Sequence, residues 1–260
     1  MNNTIHNPTL RVLNVLEILS IHNHGLSLTE ISNILHIPKG TLSPILHTLL
    51  NNKFIFYNEN TYKYSIGIMT YCIGTSYSKD LTALDFIKNE MKYIVKETNE
   101  ICQMGILINN QVLYIAKFDC ENPIRIISSV GKKFPAYCTA LGKALLSNKS
   151  LEELKLIYPT ELKAFTKNTI TDLNLLEVQL KEIRETSIAS EIEEINEQTA
   201  CIAVPLIHKN KILASISVSF PIFRVSHEKL ELIKSTLLNS KERIETFFYE
   251  NNIMKLEQIF

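Results

Sequence analysis

LSLTEISNILHIPKGTLSPILHTLL, Leu26 to Leu50, is the stretch on which the reading of this chain turns, and it runs almost directly into FIFYNENTYKYSI, Phe54 to Ile66. Ser27 and Glu30 stand at the spacing of a capping box, in which each side chain takes up an orphan backbone N–H at the start of a helix. A short helix is therefore expected from about Leu28, with Leu28, Ile31, Ile34 and Leu35 recurring at helical spacing. The run breaks at His36, Ile37 and Pro38, and Leu42, Ile45, Leu46, Leu49 and Leu50 then carry a second periodic segment. A break of that length suits the turn between two crossed helices. Upstream, Leu10, Val12, Leu13, Leu16, Ile18 and Leu19 make one broad apolar face, so three small helices can share a core. Downstream, FIFY and TYKY around Asn58, Glu59 and Asn60 read as two strands and a turn. Three helices followed by a hairpin is the order of a winged helix-turn-helix, which binds DNA. The plainer alternative is a helical hairpin and strands that serve only for packing.

The bulk numbers narrow the class. At 260 residues and 45% hydrophobic content the chain can hold two domains with sizeable cores. No stretch approaches about 18 consecutive apolar residues. MNNTIHNPTL has neither the basic region nor the apolar core of an export signal, so a cytoplasmic protein without a membrane partner is expected. Five cysteines, Cys72, Cys102, Cys120, Cys138 and Cys201, include no CxxC pair. Free thiols are expected, with no metal site and no cofactor. The 27 basic and 27 acidic residues cancel, which argues against a protein that coats nucleic acid non-specifically. Residues 1–78 hold four basic groups (Arg11, Lys39, Lys53, Lys63) against three acidic ones (Glu17, Glu30, Glu59), and five of the seven histidines. Phosphate contacts would have to lean on backbone N–H groups at helix starts and on hydroxyls.

Beyond Gly67 two helices are expected, Gly67 to Tyr77 and Leu81 to Asn99, the second with Leu84, Ile87, Met91, Ile94 and Val95 on one face. The period then changes. ICQMGILI (Ile101 to Ile108), VLYIAKF (Val112 to Phe118) and PIRIISS (Pro123 to Ser129) read as strands. Helices follow at about Cys138 to Ser147, Ser150 to Tyr158 and Asp172 to Thr186, the second opened by a Ser150/Glu153 capping box. Two more strands, ACIAVPLIH and KILASISVSF, meet at Lys209 and Asn210, and a last helix begins near Ser226. The order points to an α+β domain, an antiparallel sheet flanked by helices. The expected division is 6–67 for the winged helix, 68–80 for a linker helix and 81–254 for the second domain.

PAYCTALGKALLS (Pro135 to Ser147) and EIEEINEQTACIAVP (Glu191 to Pro205) resemble two signatures of the IclR-type bacterial transcription regulators, and IPKGTLSPILHTLL resembles their recognition helix. The likeness in segment order covers nearly the whole chain. It implies a winged helix-turn-helix domain, a linker helix and a GAF-like effector-binding domain, working as dimers or dimers of dimers on promoter DNA. By the same resemblance Ala140, Leu141, Glu191, Cys201, Ser217 and Ser219 match positions lining the family's pocket. The chain departs from the family pattern at Ser187 and Ile188, at Glu191 where an Asp is usual, at Ile207, His208 and Phe220, and in the recognition helix at Ser43 and Pro44.

Pro44 has its own consequence, because proline inside a helix removes a hydrogen bond and clashes with the carbonyl four residues back. The recognition helix is expected either to begin late, with Thr41 near the N-cap, or to kink where Gly40 faces Pro44. Lys39, Gly40, Thr41, Ser43 and His47 would then lie where major-groove readers place their contacts, with Thr29 and Lys63 as phosphate candidates. In the second domain the helix opening at Cys138 to Gly142 would offer N–H groups to an anion. Ser217 and Ser219 would face one side of their strand, opposite Ile216 and Val218. Glu191 beside them would repel a bare acid unless protonated or hydrogen-bonded to a ligand hydroxyl, which favours a hydroxylated ligand such as a sugar acid. The expected function is that of a ligand-responsive repressor of a catabolic operon, sensing a small organic or sugar acid and binding a palindromic operator as a dimer or tetramer. Two alternatives stand beside it: a DNA-binding regulator whose second domain only oligomerises, and a thiol enzyme using Cys138, for which only His208 and His227 could serve as a base.

Overall fold

The structure is a computed structural model and describes residues 6–77, 82–122, 129–255 and 259. The chain divides into two compact units, Met1–Asp80 and Leu81–Phe260.

The first unit opens with α1 (Asn7–Ile21), α2 (Leu28–Leu35) and α3 (Lys39–Asn51), continues with the hairpin β1 (Ile55–Asn58) and β2 (Lys63–Ile66), and ends with α4 (Ile68–Tyr77). Both halves of the Ser27/Glu30 capping box form: the Glu30 N–H donates to Ser27 Oγ at 3.3 Å and the Ser27 N–H to Glu30 Oε2 at 2.7 Å. The core comprises Val15, Leu19, Leu26, Ile31, Leu42, Leu46, Leu49 and Ile55. One expectation fails within α1. Leu10 and Leu13 are exposed, because the face that packs is the i, i+3, i+4, i+7 set Val12, Val15, Leu16 and Leu19. The wing is tied to the start of α2 by a two-way backbone bridge between Leu26 and Tyr64, at 2.9 and 2.8 Å. Gly25 makes that approach possible: its φ is +68°, and a Cβ there would stand 2.7 Å from the Tyr64 carbonyl oxygen.

Of the two geometries expected for α3, the late start is overturned. The helix begins at Lys39 with Pro38 as N-cap, Thr41 and Leu42 both donate to the Pro38 carbonyl, and Pro44 lies inside. The ring is tolerated because it opposes Gly40, which is exposed, and a Cβ at Gly40 would meet nothing within 4 Å. The carbonyl that Pro44 cannot serve is therefore open to water.

The second unit is a six-stranded sheet in the order β5-β4-β3-β8-β7-β6, antiparallel throughout. Its strands are β3 (Ile101–Ile108), β4 (Gln111–Phe118), β5 (Lys133–Pro135), β6 (Ala189–Ile192), β7 (Thr199–His208) and β8 (Lys211–Pro221). α5 (Thr82–Thr98) and α9 (His227–Glu250) cover one face, with Ile87, Met91, Ile233, Leu237 and Phe248 against Met104, Val204, Ile216 and Val218. α6 (Ala140–Leu146), α7 (Leu151–Ile157) and α8 (Leu173–Thr186) cover the other. The Ser150/Glu153 capping box forms as expected. The short strands β5 and β6 were not anticipated, and the strand expected at Pro123 to Ser129 falls almost entirely outside the described residues. Cys138 does not open a helix; it closes a 3₁₀ turn, Ala136–Cys138, and α6 starts after Thr139.

Candidate nucleic-acid interface and effector cavity

α3 buries Leu42, Leu46 and Leu49 and leaves Lys39, Gly40, Ser43, Pro44, His47, Thr48 and Asn51 exposed. Lys39, Ser43 and His47 follow one another at four-residue spacing along the open side, so three of the expected reading residues share a stripe. Thr41 is half-buried at the edge of that stripe. Asn51 joins it: its Nδ2 stands 3.3 Å from His47 Nδ1, an i, i+4 pair legible in the sequence but missed there. No side chain caps the first turn of α3. Thr29 is exposed at the second position of α2, and Lys63 on the wing stands 3.9 Å from Glu30 Oε1.

In the second unit the expected effector residues converge. Ala140, Leu141, Glu191, Cys201, Ser217 and Ser219 all line one cavity of about 50 Å³. Strand register does this. Glu191 on β6 pairs with Cys201 on β7, and Cys201 pairs with Ser219 on β8, so the three side chains stand abreast on the face turned toward α6. Cys201 Sγ lies 3.0 Å from Ser219 Oγ, which in turn donates to Gln103 Oε1 at 3.0 Å. Gln103 sits on β3 directly across from Ser217. It was missed in the sequence, although a lone amide in an otherwise apolar strand was the available signal. Tyr114, Phe134, Thr139, Ile195, Asn196 and Thr199 complete the wall. Among these described lining residues Glu191 is the one carboxylate, and no lysine or arginine takes part.

The helix opening offers less to an anion than expected. Thr139 Oγ1 accepts the Gly142 N–H at 3.1 Å, and every residue of α6 is buried. Burial dominates the electrostatics of the cavity. It pushes the Glu191 carboxyl up to about 7, against the lowering effect of the Glu194 N–H that donates to Oε2 at 3.0 Å. Burial also pushes the Cys138 thiol up to about 12 and the Cys201 thiol well above its ordinary value. An activated nucleophile needs the opposite shift, so the thiol-enzyme reading finds no support in the geometry. Behind the cavity Lys143, fully buried on α6, forms an ion pair with Glu194. A larger groove of about 570 Å³ lies beside the end of α8 and the start of α9, and also reaches Glu191 and Cys201.

Residues 76–246 match the family model described as the bacterial transcriptional regulator IclR C-terminal domain, and residues 9–58 match the IclR helix-turn-helix domain. The chain belongs to the IclR family of transcriptional regulators. IclR-family membership accounts for both units at once. The HTH-type transcriptional regulator KdgR of Escherichia coli is 29% identical over 240 residues, spanning 90% of each chain. An IclR transcriptional regulator from Alicyclobacillus acidocaldarius has a structure that superposes with TM-score 0.85 at 25% identity, covering 94% of this chain and 99% of that one. An IclR homologue from Microbacterium hydrocarbonoxydans, solved with 4-hydroxybenzoate, shares the fold at TM-score 0.79 and 17% identity, covering 92% and 99%. The family consists of DNA-binding regulators and not of enzymes, and no helix among the described residues is long and apolar enough to cross a membrane.

Proposed function

We propose that this regulator is a repressor of a catabolic operon that senses a small hydroxylated organic acid or sugar acid in the cavity around Glu191. The observation that carries the reading is the convergence of Glu191, Cys201, Ser217 and Ser219, from three strands, on one cavity that holds no cation among its described lining residues. A bare acid would meet a carboxyl there with no partner for its charge. A hydroxylated one can donate to Glu191 and accept from the serines, and Glu191 can take up a proton near neutrality. The acid bound in the structure from Microbacterium hydrocarbonoxydans, itself hydroxylated, agrees with this class.

On the DNA side the stripe Lys39, Ser43 and His47, with Gly40 and Thr41 at the helix start, would read the major groove. Thr29 and Lys63 would hold phosphates, and the paired copies would meet a palindromic operator. Dimer formation suits α4, which carries no charged residue over Ile68–Tyr77 and leaves Ile68, Tyr71 and Ile73 exposed on different sides of the helix, apolar surface that a second copy would cover. The ligand would act by binding two arrangements of that dimer with different affinity.

The test is a gel shift on promoter fragments flanking the protein's own gene, with and without glycolate, D-gluconate, D-galacturonate, pyruvate and 4-hydroxybenzoate. A specific complex weakened by a hydroxylated acid and insensitive to pyruvate is the expected result. A complex that responds to none of them would leave the second unit as an oligomerisation module.

A further inference from the structure

The effector cavity, at about 50 Å³, has room for a few waters and not for a sugar acid, whereas small-molecule pockets run from roughly 300 Å³ upward. Ligand entry on the reading above therefore requires part of the wall to move. One part is built to do so. Ile195 and Asn196 line the cavity from the connection between β6 and β7, and that connection is bracketed by Glu193 and Gln198, both at positive φ (+56° and +58°). Ile195 packs against the core beside α6 and Glu194 is buried, while Asn196, Glu197 and Gln198 are exposed and the segment is otherwise held by discrete polar contacts. Thr169 Oγ1 donates to the Glu194 carbonyl at 2.6 Å and accepts the Phe165 and Thr166 N–H groups at 2.9 Å each. Asn168 Nδ2 donates to Glu193 Oε2 at 3.1 Å, and Lys143 reaches up from α6 to the Glu194 carboxylate. Further ties are the Thr166 hydroxyl donating to the Glu193 carbonyl, the Ile222 N–H donating to the Gln198 carbonyl at 3.0 Å and, from inside the cavity, the Glu194 N–H donating to Glu191 Oε2.

We propose that Glu193–Gln198 is a lid over the effector cavity, latched by Thr169 and Lys143 through Glu194, and that it opens locally to admit the ligand while the sheet stays folded. The inference rests on the cavity being the effector site, and it adds a sensing route. A ligand that engages Glu191 competes for the carboxylate oxygen that holds the lid backbone, so occupancy of the cavity and the state of the lid are linked through one group.

The experiment measures access to the cavity without any effector, so its outcome is independent of whether an acid shifts DNA binding. Cys201 Sγ lies on the cavity side of β7, whereas Cys102 is fully buried on the opposite face of the sheet with α5 and α9. The full-length protein is treated with a maleimide bearing a bulky dye, too large for the closed cavity, and modification of each cysteine is followed by peptide mass spectrometry across a low urea series. Cys201 is half-buried and also borders the larger groove, so its wild-type rate, expected to exceed that of Cys102 with little urea dependence, serves as the baseline against which lid opening is read. Thr169→Val is expected to raise the Cys201 rate several-fold and leave Cys102 unchanged, with Thr169→Ser restoring the wild-type rate. Equal rates and a shared urea dependence for the two cysteines in the wild-type protein would overturn the lid, since the cavity would then open only on global unfolding. An unchanged Cys201 rate in a folded Thr169→Val protein would overturn the latch.

Discussion

Glu191 shows how much a single position can carry. Its carboxyl is raised to about 7 by burial, so between the ordinary carboxylate range and neutrality the folded chain keeps a proton that the unfolded chain has lost. The native state then binds more protons than the unfolded state, and stability must fall as pH rises across that window, by up to roughly 1.4 kcal/mol per pH unit from this one group. Its contribution is complete below about 4.5, where both states are protonated, and is lost on passing about 7. Glu191→Gln is expected to flatten that part of the urea-denaturation profile and to be more stable than wild type at pH 8. A variant profile parallel to the wild type between pH 5 and 7 would show that the carboxyl ionises at its ordinary value. The same substitution is expected to weaken any pH dependence of effector affinity, because the coupled proton is gone.

At the scale of elements, α3 and α6 each depend on one residue whose replacement has a defined direction. Pro44→Ala returns an N–H to the Gly40 carbonyl and should raise the stability of the first unit by about 1–3 kcal/mol, read as an increase in its melting temperature. Unchanged melting would mean that water already serves that carbonyl as well as an amide would. Gly142→Ala should have the opposite sign. A Cβ there would sit 2.1 Å from the Ala136 carbonyl oxygen, so the 3₁₀ turn and α6 must separate, with a loss of at least a few kcal/mol in the second unit and a disturbed cavity wall at Ala140 and Leu141. Why α3 was partly misread follows from the same contacts: an isolated rule about internal proline cannot see that the opposing residue is an exposed glycine. The capping boxes at Ser27 and Ser150 were legible because their partners are three residues away, whereas β5 and β6, with three and four residues, carry too little pattern to stand out. The cavity was legible only through the family signatures and the alternation of Ser217 and Ser219. Gln103, Tyr114, Phe134 and Asn196 reach it through strand pairings and a connection that no local spacing encodes.

Taken whole, the molecule must bind a polyanion with almost no net charge to offer. Residues 1–78 supply four cations per copy, Arg11, Lys39, Lys53 and Lys63, and Lys63 stands within 3.9 Å of the Glu30 carboxylate. Each phosphate neutralised releases counterions and contributes about −0.9 to the slope of log K against log salt. A dimer that used all eight cations could therefore not exceed a slope of about −7, and contacts made by backbone N–H groups at the uncapped start of α3 or by Thr29 add nothing to it. The expected slope for the specific complex is nearer −4, with Lys63→Ala reducing its magnitude by up to about 2 per dimer and weakening all sequences alike. Ser43→Ala and His47→Ala should instead leave the slope unchanged and narrow the gap between operator and random DNA. Fluorescence anisotropy over a salt series separates the two classes. A wild-type slope steeper than about −8 would require cations from beyond residues 1–78 on the DNA, and would sink the assignment of binding to the winged helix alone.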